Sequence, residues 1–179
     1  MLITAANSVL VMIDVQKRLM PAIGEGEVVI KQCLRLAQIA QVLHVPIIGT
    51  EQNPSGLGEN LPMIKALCQS TISKMYFDAC QDGLLIEIGK FKPVRQQIIL
   101  AGCESHICVL QTALALIAQN YQVVVVVDAI GSRHGLDKTL AIERMNKAGA
   151  HLVTTEMLAF EWLQKFDRPE FNTILKIIK

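Results

Sequence analysis

Residues 9–16 read Val9-Leu10-Val11-Met12-Ile13-Asp14-Val15-Gln16: a run of apolar side chains that ends on an acid. A strand with one wet face alternates apolar and polar side chains, whereas a strand buried on both faces of a parallel sheet is apolar throughout. The stretch therefore reads as a doubly buried strand with a carboxylate at its carboxyl end. Pro46 to Gly49, Ile98 to Ala101 and Val123 to Val127 have the same character, Ser70 to Ser73 is a weaker candidate, and His151 to Thr154 adds a sixth. Between them lie helical patterns: Val28 to Val42, Asn60 to Leu67, Ala79 to Ile88, His106 to Gln119 and Asp137 to Lys147. Asn120 and Gly149 stand where two of these helices must stop. Strand and helix alternate, which predicts a three-layer α/β/α sandwich around an open, mainly parallel, six-stranded Rossmann-like sheet of expected order 3-2-1-4-5-6.

A chain of 179 residues suits one domain, expected over 1–179 with a C-terminal tail from about 165 to 179. Apolar residues at 51% and charged residues at 18% exclude intrinsic disorder. The net charge of +1 gives no overall field toward nucleic acid or an anionic membrane, so neither is expected as a partner. The most apolar run, Val123 to Val127, is far shorter than the ~20 residues of a spanning helix. Met1 to Asn7 has no basic n-region, so a cytoplasmic protein is expected. The five cysteines, 33, 68, 80, 103 and 108, form no CxxC pair and read as reduced thiols.

In open parallel sheets, ligands sit beyond the carboxyl ends of the strands. Those ends carry Asp14-Val15-Gln16, Thr50-Glu51-Gln52, Lys74, the run Gly102 to Cys108, and Asp128. Cys108 falls where a helix begins, and there free N–H groups and a nearby ammonium favour a thiolate. Amides of the same turn could serve as an oxyanion hole. Asp14 could take the thiol proton while Lys74 holds both negative charges in place. Taken singly, each residue has a plainer reading: a Cys in an apolar helix is usually a small hydrophobe, a strand-end Asp usually a turn former, a Lys usually solvated. Their conjunction is the informative feature.

That conjunction resembles the isochorismatase-like cysteine hydrolases. The matching residues are Leu10 to Gln16, Lys74 with Tyr76-Phe77, Gly102-Cys103-Glu104-Ser105-His106-Ile107-Cys108-Val109, and Asp128-Ala129 with Ser132-Arg133, spanning roughly 8 to 160. Thr50-Glu51-Gln52, Gly56-Leu57-Gly58 and Glu143-Arg144-Met145 look closest to the isochorismatase-domain-containing subgroup. The resemblance implies a catalytic triad of Asp14, Lys74 and Cys108, with Gln16 supporting the Asp. It also implies a cis peptide between Cys103 and Glu104, an oxyanion hole from the N–H groups of Glu104 and Cys108, and a homo-oligomer. Glu51, Tyr76 and Phe77 are expected to line the pocket of a small-molecule substrate.

Nicotinamidases of this kind carry an Asp-x-His-x-His metal cluster after the second strand. This chain has Glu51-Gln52-Asn53 there, and its histidines at 44, 106, 134 and 151 show no ligand spacing, so no metal or other cofactor is expected. Members that hydrolyse the vinyl ether of isochorismate generally lack the cysteine, so the favoured activity is cysteine-dependent hydrolysis of a small carboxamide or related acyl C–N compound through a thioester. The alternatives are a vinyl ether hydrolase, a non-catalytic scaffold that keeps the fold, and a Cys108–His134 pair. A nucleotide-binding Rossmann domain is opposed by the lack of GxGxxG after the first strand.

Overall fold

Because residues 9–13 are apolar at every position, a strand there can be stable only with helices on both sides. The computed structural model describes residues 2–179 and has this arrangement. In chain order the elements are β1 (Ser8–Ile13), α1 (Gly26–Val42), β2 (Ile47–Gln52), α2 (Pro54–Leu57), α3 (Pro62–Lys65), β3 (Ser70–Lys74), α4 (Leu84–Gly89), β4 (Gln97–Cys103), α5 (Leu110–Ala118), β5 (Gln122–Gly131), α6 (Gly135–Lys147), β6 (His151–Val153), α7 (Thr155–Leu163) and α8 (Phe171–Ile178). All strand pairs are parallel and the order is β3-β2-β1-β4-β5-β6, as expected.

The strands feed two cores by strict alternation. Leu10 and Met12 of β1, Ile99 and Ala101 of β4, and Val124 and Val126 of β5 pack with α1, α3, α7 and α8. Val9, Val11 and Ile13, Ile98 and Leu100, and Val123 and Val125 pack with α4, α5 and α6. Each fully buried Val, Leu or Ile contributes about 1.5–3 kcal/mol relative to exposure, so a one-residue slip has little hydrophobic cost on these strands. Register is fixed instead by backbone close to the site. Gly102, paired with Ile13, has φ +111°, and a Cβ there would lie 1.9 Å from the Ile13 carbonyl oxygen. Gly102→Ala should destabilise the fold by at least the ~1–3 kcal/mol of a disfavoured backbone conformation, read as a lower urea midpoint.

Several boundaries differ from the sequence reading, each for a local reason. Pro62 fixes a later start for the helix expected from Asn60, leaving α3 as a short segment. Gly83, at φ +104°, divides the stretch from Ala79 into a 3-10 turn, Ala79–Asp82, and α4. The helix expected from His106 opens as a π-helical turn, Ser105–Val109, before α5. β5 does not stop at Asp128 but runs on to Gly131, with a register shift opposite Leu100–Gly102. The Asp128 carboxylate instead accepts hydrogen bonds from Thr155 N and Oγ1 at the start of α7, 2.8 and 3.1 Å away. The tail folds back as α8 over the chain's own core, burying Ile174 beside α1 and α7. Among the described residues no helix is long and apolar enough to cross a membrane.

Candidate active site

The order β3-β2-β1-β4 sets the carboxyl ends of four strands side by side, and five polar or reactive side chains meet there: Asp14, Thr50, Gln52, Lys74 and Cys108. Asp14 follows the last residue of β1 in a left-handed conformation, φ +49°, and is fully buried. Its Oδ1 accepts a 2.6 Å hydrogen bond from Thr50 Oγ1 on β2. Its Oδ2 lies 2.8 Å from the ammonium of Lys74, the last residue of β3. Oδ2 makes an ion pair there but accepts no aligned hydrogen bond among the described residues, so it retains a lone pair for a proton.

Lys74 is also buried, and its Nζ donates to Gln52 Oε1 at 2.6 Å and to the carbonyls of Tyr76 and Phe77 at 3.4 Å. Register explains the first of these contacts, since Lys74 pairs with Gln52 across β3 and β2. The turn carrying the two carbonyls is held by Asp82, whose carboxylate accepts from Met75 N and Tyr76 N at 2.8 and 2.9 Å. Removing one member of a buried ion pair leaves the other charge uncompensated, typically at a cost of ~3–5 kcal/mol. Lys74→Ala should therefore lower stability by about that amount, measurable by urea unfolding, while Lys74→Ala combined with Asp14→Ala should recover part of the loss.

Cys108 sits on the π-helical turn after β4, with Sγ 3.9 Å from Gln52 Oε1. Burial pushes its thiol up to about 12, the Asp14 carboxylate adds to the rise, and the Lys74 ammonium opposes it. Burial thus outweighs the ammonium, and the thiol is raised where the sequence pattern points to a lowered one. What the site holds is a thiol beside a carboxylate able to receive its proton. Asp14, Gln52, Glu104 and Cys108, with Leu19, Leu57, Phe77 and Ile107, line a cleft of about 90 Å³. A roomier hollow of about 250 Å³ among Gln32, Arg35, Asp128, Thr155 and Glu156 is lined by no cysteine.

The isochorismatase domain model matches residues 8–157, a span that includes every side chain in this cleft. The chain belongs to the isochorismatase family. It is 36% identical over 173 residues to mouse isochorismatase domain-containing protein 2A, covering 97% of this chain and 83% of the mouse protein. Its fold superimposes on the structure of the MAR1 ribonuclease from Caenorhabditis elegans with a TM-score of 0.92 and 34% identity, covering 99% of this chain and 92% of that one. YcaC from Escherichia coli, described as an octameric hydrolase of unknown specificity, has the same fold at 24% identity and a TM-score of 0.91, with 98% and 90% covered. The isochorismatase fold is a hydrolase fold.

Within this isochorismatase framework the other expected site residues fall in different places. The Gln16 side chain places its hydrogen bonds on Gln52 and Gly58 instead of on Asp14. It accepts from Gln52 N at 2.8 Å and donates to the Gln52 carbonyl at 3.0 Å, so it fixes the end of β2, and Thr50 is the residue that holds Asp14. Glu51 does not line the cleft. Strand alternation sends Thr50 and Gln52 to the site and Glu51 to the opposite face, where it accepts from Asn60 N and pairs with Lys65 at 3.1 Å. Phe77 borders the cleft, whereas Tyr76 is exposed and only its carbonyl reaches Lys74.

The peptide between Cys103 and Glu104 is cis, as the isochorismatase resemblance implies, and the Cys103 thiol is buried in the core on the α1 side. Glu104 is buried with its carboxylate on Arg133, whose backbone N lies 2.9 Å and whose Nε lies 3.2 Å from Oε2. His106 is engaged with Ser132 Oγ at 3.0 Å, and His134 is exposed at the head of α6, so neither borders the cleft. Among the described residues no three His, Cys, Asp or Glu side chains are grouped to hold a metal ion.

Proposed function

We propose that the protein is a single-domain, cysteine-dependent hydrolase of a small carboxamide or related acyl C–N compound. The observation that carries the reading is the meeting of a buried Asp14–Lys74 pair with the Cys108 thiol in one small cleft. As Sγ attacks the substrate carbonyl carbon, the thiol proton passes to Asp14 Oδ2, and the N–H groups of Glu104 and Cys108 receive the oxyanion. Collapse expels the amine, which takes the proton from Asp14, and leaves an acyl thioester. Asp14 then deprotonates water, which attacks the thioester, releases the carboxylic acid and returns the proton to sulfur. Lys74, 2.8 Å from Asp14 Oδ2, holds the carboxyl group in place through these steps. With the thiol pushed up to about 12, free thiolate is scarce at neutral pH, so attack and proton transfer are coupled.

Four free, non-pairing cysteines beside Cys108 fit a reducing, cytoplasmic setting. Exposed Leu2, Met157, Phe160 and Phe166 form an apolar face that suits a homo-oligomer, and a light-scattering mass near 20 kDa contradicts that part of the proposal. A panel of small carboxamides, with an RNA oligonucleotide as a further arm, tests the activity in wild type and Cys108→Ala. Turnover of a carboxamide by wild type alone supports the reading. Equal turnover by both proteins removes the cysteine mechanism, and cleavage confined to RNA replaces the substrate class.

A further inference from the structure

Glu104 borders the cleft, but its carboxylate is committed elsewhere. Both oxygens lie 3.2 Å from Arg133 Nε, one of them also accepts from the Arg133 backbone N at 2.9 Å, and Arg133 itself stays outside the cleft. The polar group that Glu104 has left for the substrate space is its own N–H. Glu104 is about 5% exposed, and its N–H donates to no group among the described residues. A buried backbone N–H is nearly always paired, so a free one beside the Cys108 thiol suits an acceptor that arrives with the substrate.

That donor is aimed by the contact between the turn after β4 and the segment after β5. Two side chains tie the turn down: Glu104 on Arg133, and His106, whose Nδ1 lies 3.0 Å from Ser132 Oγ. Ser132 is buried and its carbonyl accepts from Gly24 N at 3.0 Å, so the segment is anchored to the loop before α1 as well. The Glu104 carbonyl accepts from Ile107 N and Val109 N at 3.1 and 3.2 Å. With its carbonyl and its side chain both pinned, Glu104 has little freedom to turn its N–H. An ion pair whose cation is 53% exposed adds little to stability, so the hold of Arg133 on Glu104 is a matter of geometry.

We infer that Arg133 is a positioning residue for the oxyanion: by gripping the Glu104 carboxylate it aims the Glu104 N–H at the carbonyl oxygen of an acyl group under attack by Cys108. Arg133 does not touch the substrate. The inference rests on the proposed reading of Cys108 as an acyl acceptor and adds the group that keeps its oxyanion donor in line. Losing one such donor costs acyl transfer about 10²–10³-fold, and a misplacement of ~1 Å costs on the order of 10²-fold.

Two reagents separate this role from a general weakening of the site. p-Nitrophenyl acetate acylates a thiol through an oxyanion: Sγ bonds to the carbonyl carbon, the thiol proton passes to Asp14, and the bond to p-nitrophenolate breaks. Iodoacetamide alkylates the same sulfur by displacing iodide and forms no oxyanion. Acylation is read as the first-turnover release of p-nitrophenolate that Cys108→Ala lacks, and alkylation as the mass gain on the Cys108 peptide. Dividing the first rate by the second at one pH cancels the reactivity of the sulfur itself. Arg133→Ala should lower this ratio about tenfold or more while alkylation stays within about threefold of wild type. Arg133→Lys, which can still pair with the carboxylate, should recover most of the loss. If Arg133→Ala does not fold, as judged by circular dichroism, the double variant Glu104→Gln, Arg133→Ala leaves no unpaired buried charge and carries the same expectation. An unchanged ratio, acylation and alkylation that fall together, an Arg133→Lys ratio no better than that of Arg133→Ala, or wild type that the ester does not acylate at Cys108 overturns the inference. The ester reports on the oxyanion and the carboxamide panel on amide turnover, so each can fail without the other.

Discussion

Replacing Cys108 by Ala should lower carboxamide turnover by roughly 10⁴-fold or more, the scale seen when a covalent nucleophile is removed from a site whose members act as a unit. The substitution deletes one sulfur from a side chain that is 6% exposed, so the fold should survive it. Asp14 and Lys74 remain paired at 2.8 Å whether or not the sulfur is present. The loss should therefore appear in kcat with a nearly unchanged thermal transition. Asp14→Asn should act through the same step, because an amide in place of Oδ2 cannot receive the thiol proton, and combining it with Cys108→Ala should add little. Additive losses in the double variant, or a deficit in Cys108→Ala that is matched by a lower melting temperature, would speak against a shared chemical step.

Alkaline conditions should weaken the fold steeply. Burial pushes Cys33 and Cys108 each up to about 12, and Cys103 rises well above the ordinary thiol range for the same first cause. In the unfolded chain these thiols ionise near ~8.5. Above that pH the unfolded state binds fewer protons than the folded one, so stability falls as pH rises until the folded thiols themselves titrate. Each thiol contributes a slope of about 1.4 kcal/mol per pH unit once its unfolded form is ionised, so three together approach ~4 kcal/mol per unit. That is large against a typical total of ~5–15 kcal/mol. Urea midpoints between pH 7.5 and 10.5 should drop accordingly, and Cys103→Ala should flatten the decline. Midpoints that hold constant to pH 10.5 would contradict the assignment of these thiols to dry surroundings.

Much of this architecture was legible in residue order because it depends on chemistry confined to short stretches. Val9 to Ile13 and Val123 to Val127 are apolar at adjacent positions, which only doubly covered strands require, and the sheet order follows the expected one. Asn120 at φ +64° and Gly149 at φ +107° do end α5 and α6 as their residue types indicate. α7 escaped notice although Thr154 caps it, with Oγ1 accepting from Met157 N at 3.2 Å, because its apolar side chains surround the helix instead of forming a stripe.

The site was legible in its residue types and less so in its second layer. Asp14, Lys74 and Cys108 stand at strand ends, where the topology gathers them. Thr50 and Gln52 reach the site and Glu51 does not, because period-two alternation puts only one of two neighbours on a given face. The Glu104–Arg133 contact links the turn after β4 with the segment after β5, and only the folded sheet brings those together. The raised Cys108 thiol was equally hidden, since a helix start and a nearby lysine point to a lowered one, and the degree of burial that reverses the sign is a property of packing.

The central claim is covalent, and a trapped intermediate tests it most directly. Wild-type protein mixed with a turned-over carboxamide, quenched in acid within the first turnovers and digested, should carry on the Cys108 peptide a mass increase equal to the substrate less its amine, with no such adduct on the peptides of Cys33, Cys68, Cys80 or Cys103. Brisk hydrolysis with Cys108 unmodified at every quench time, or an acyl group found on a different residue, would contradict the account.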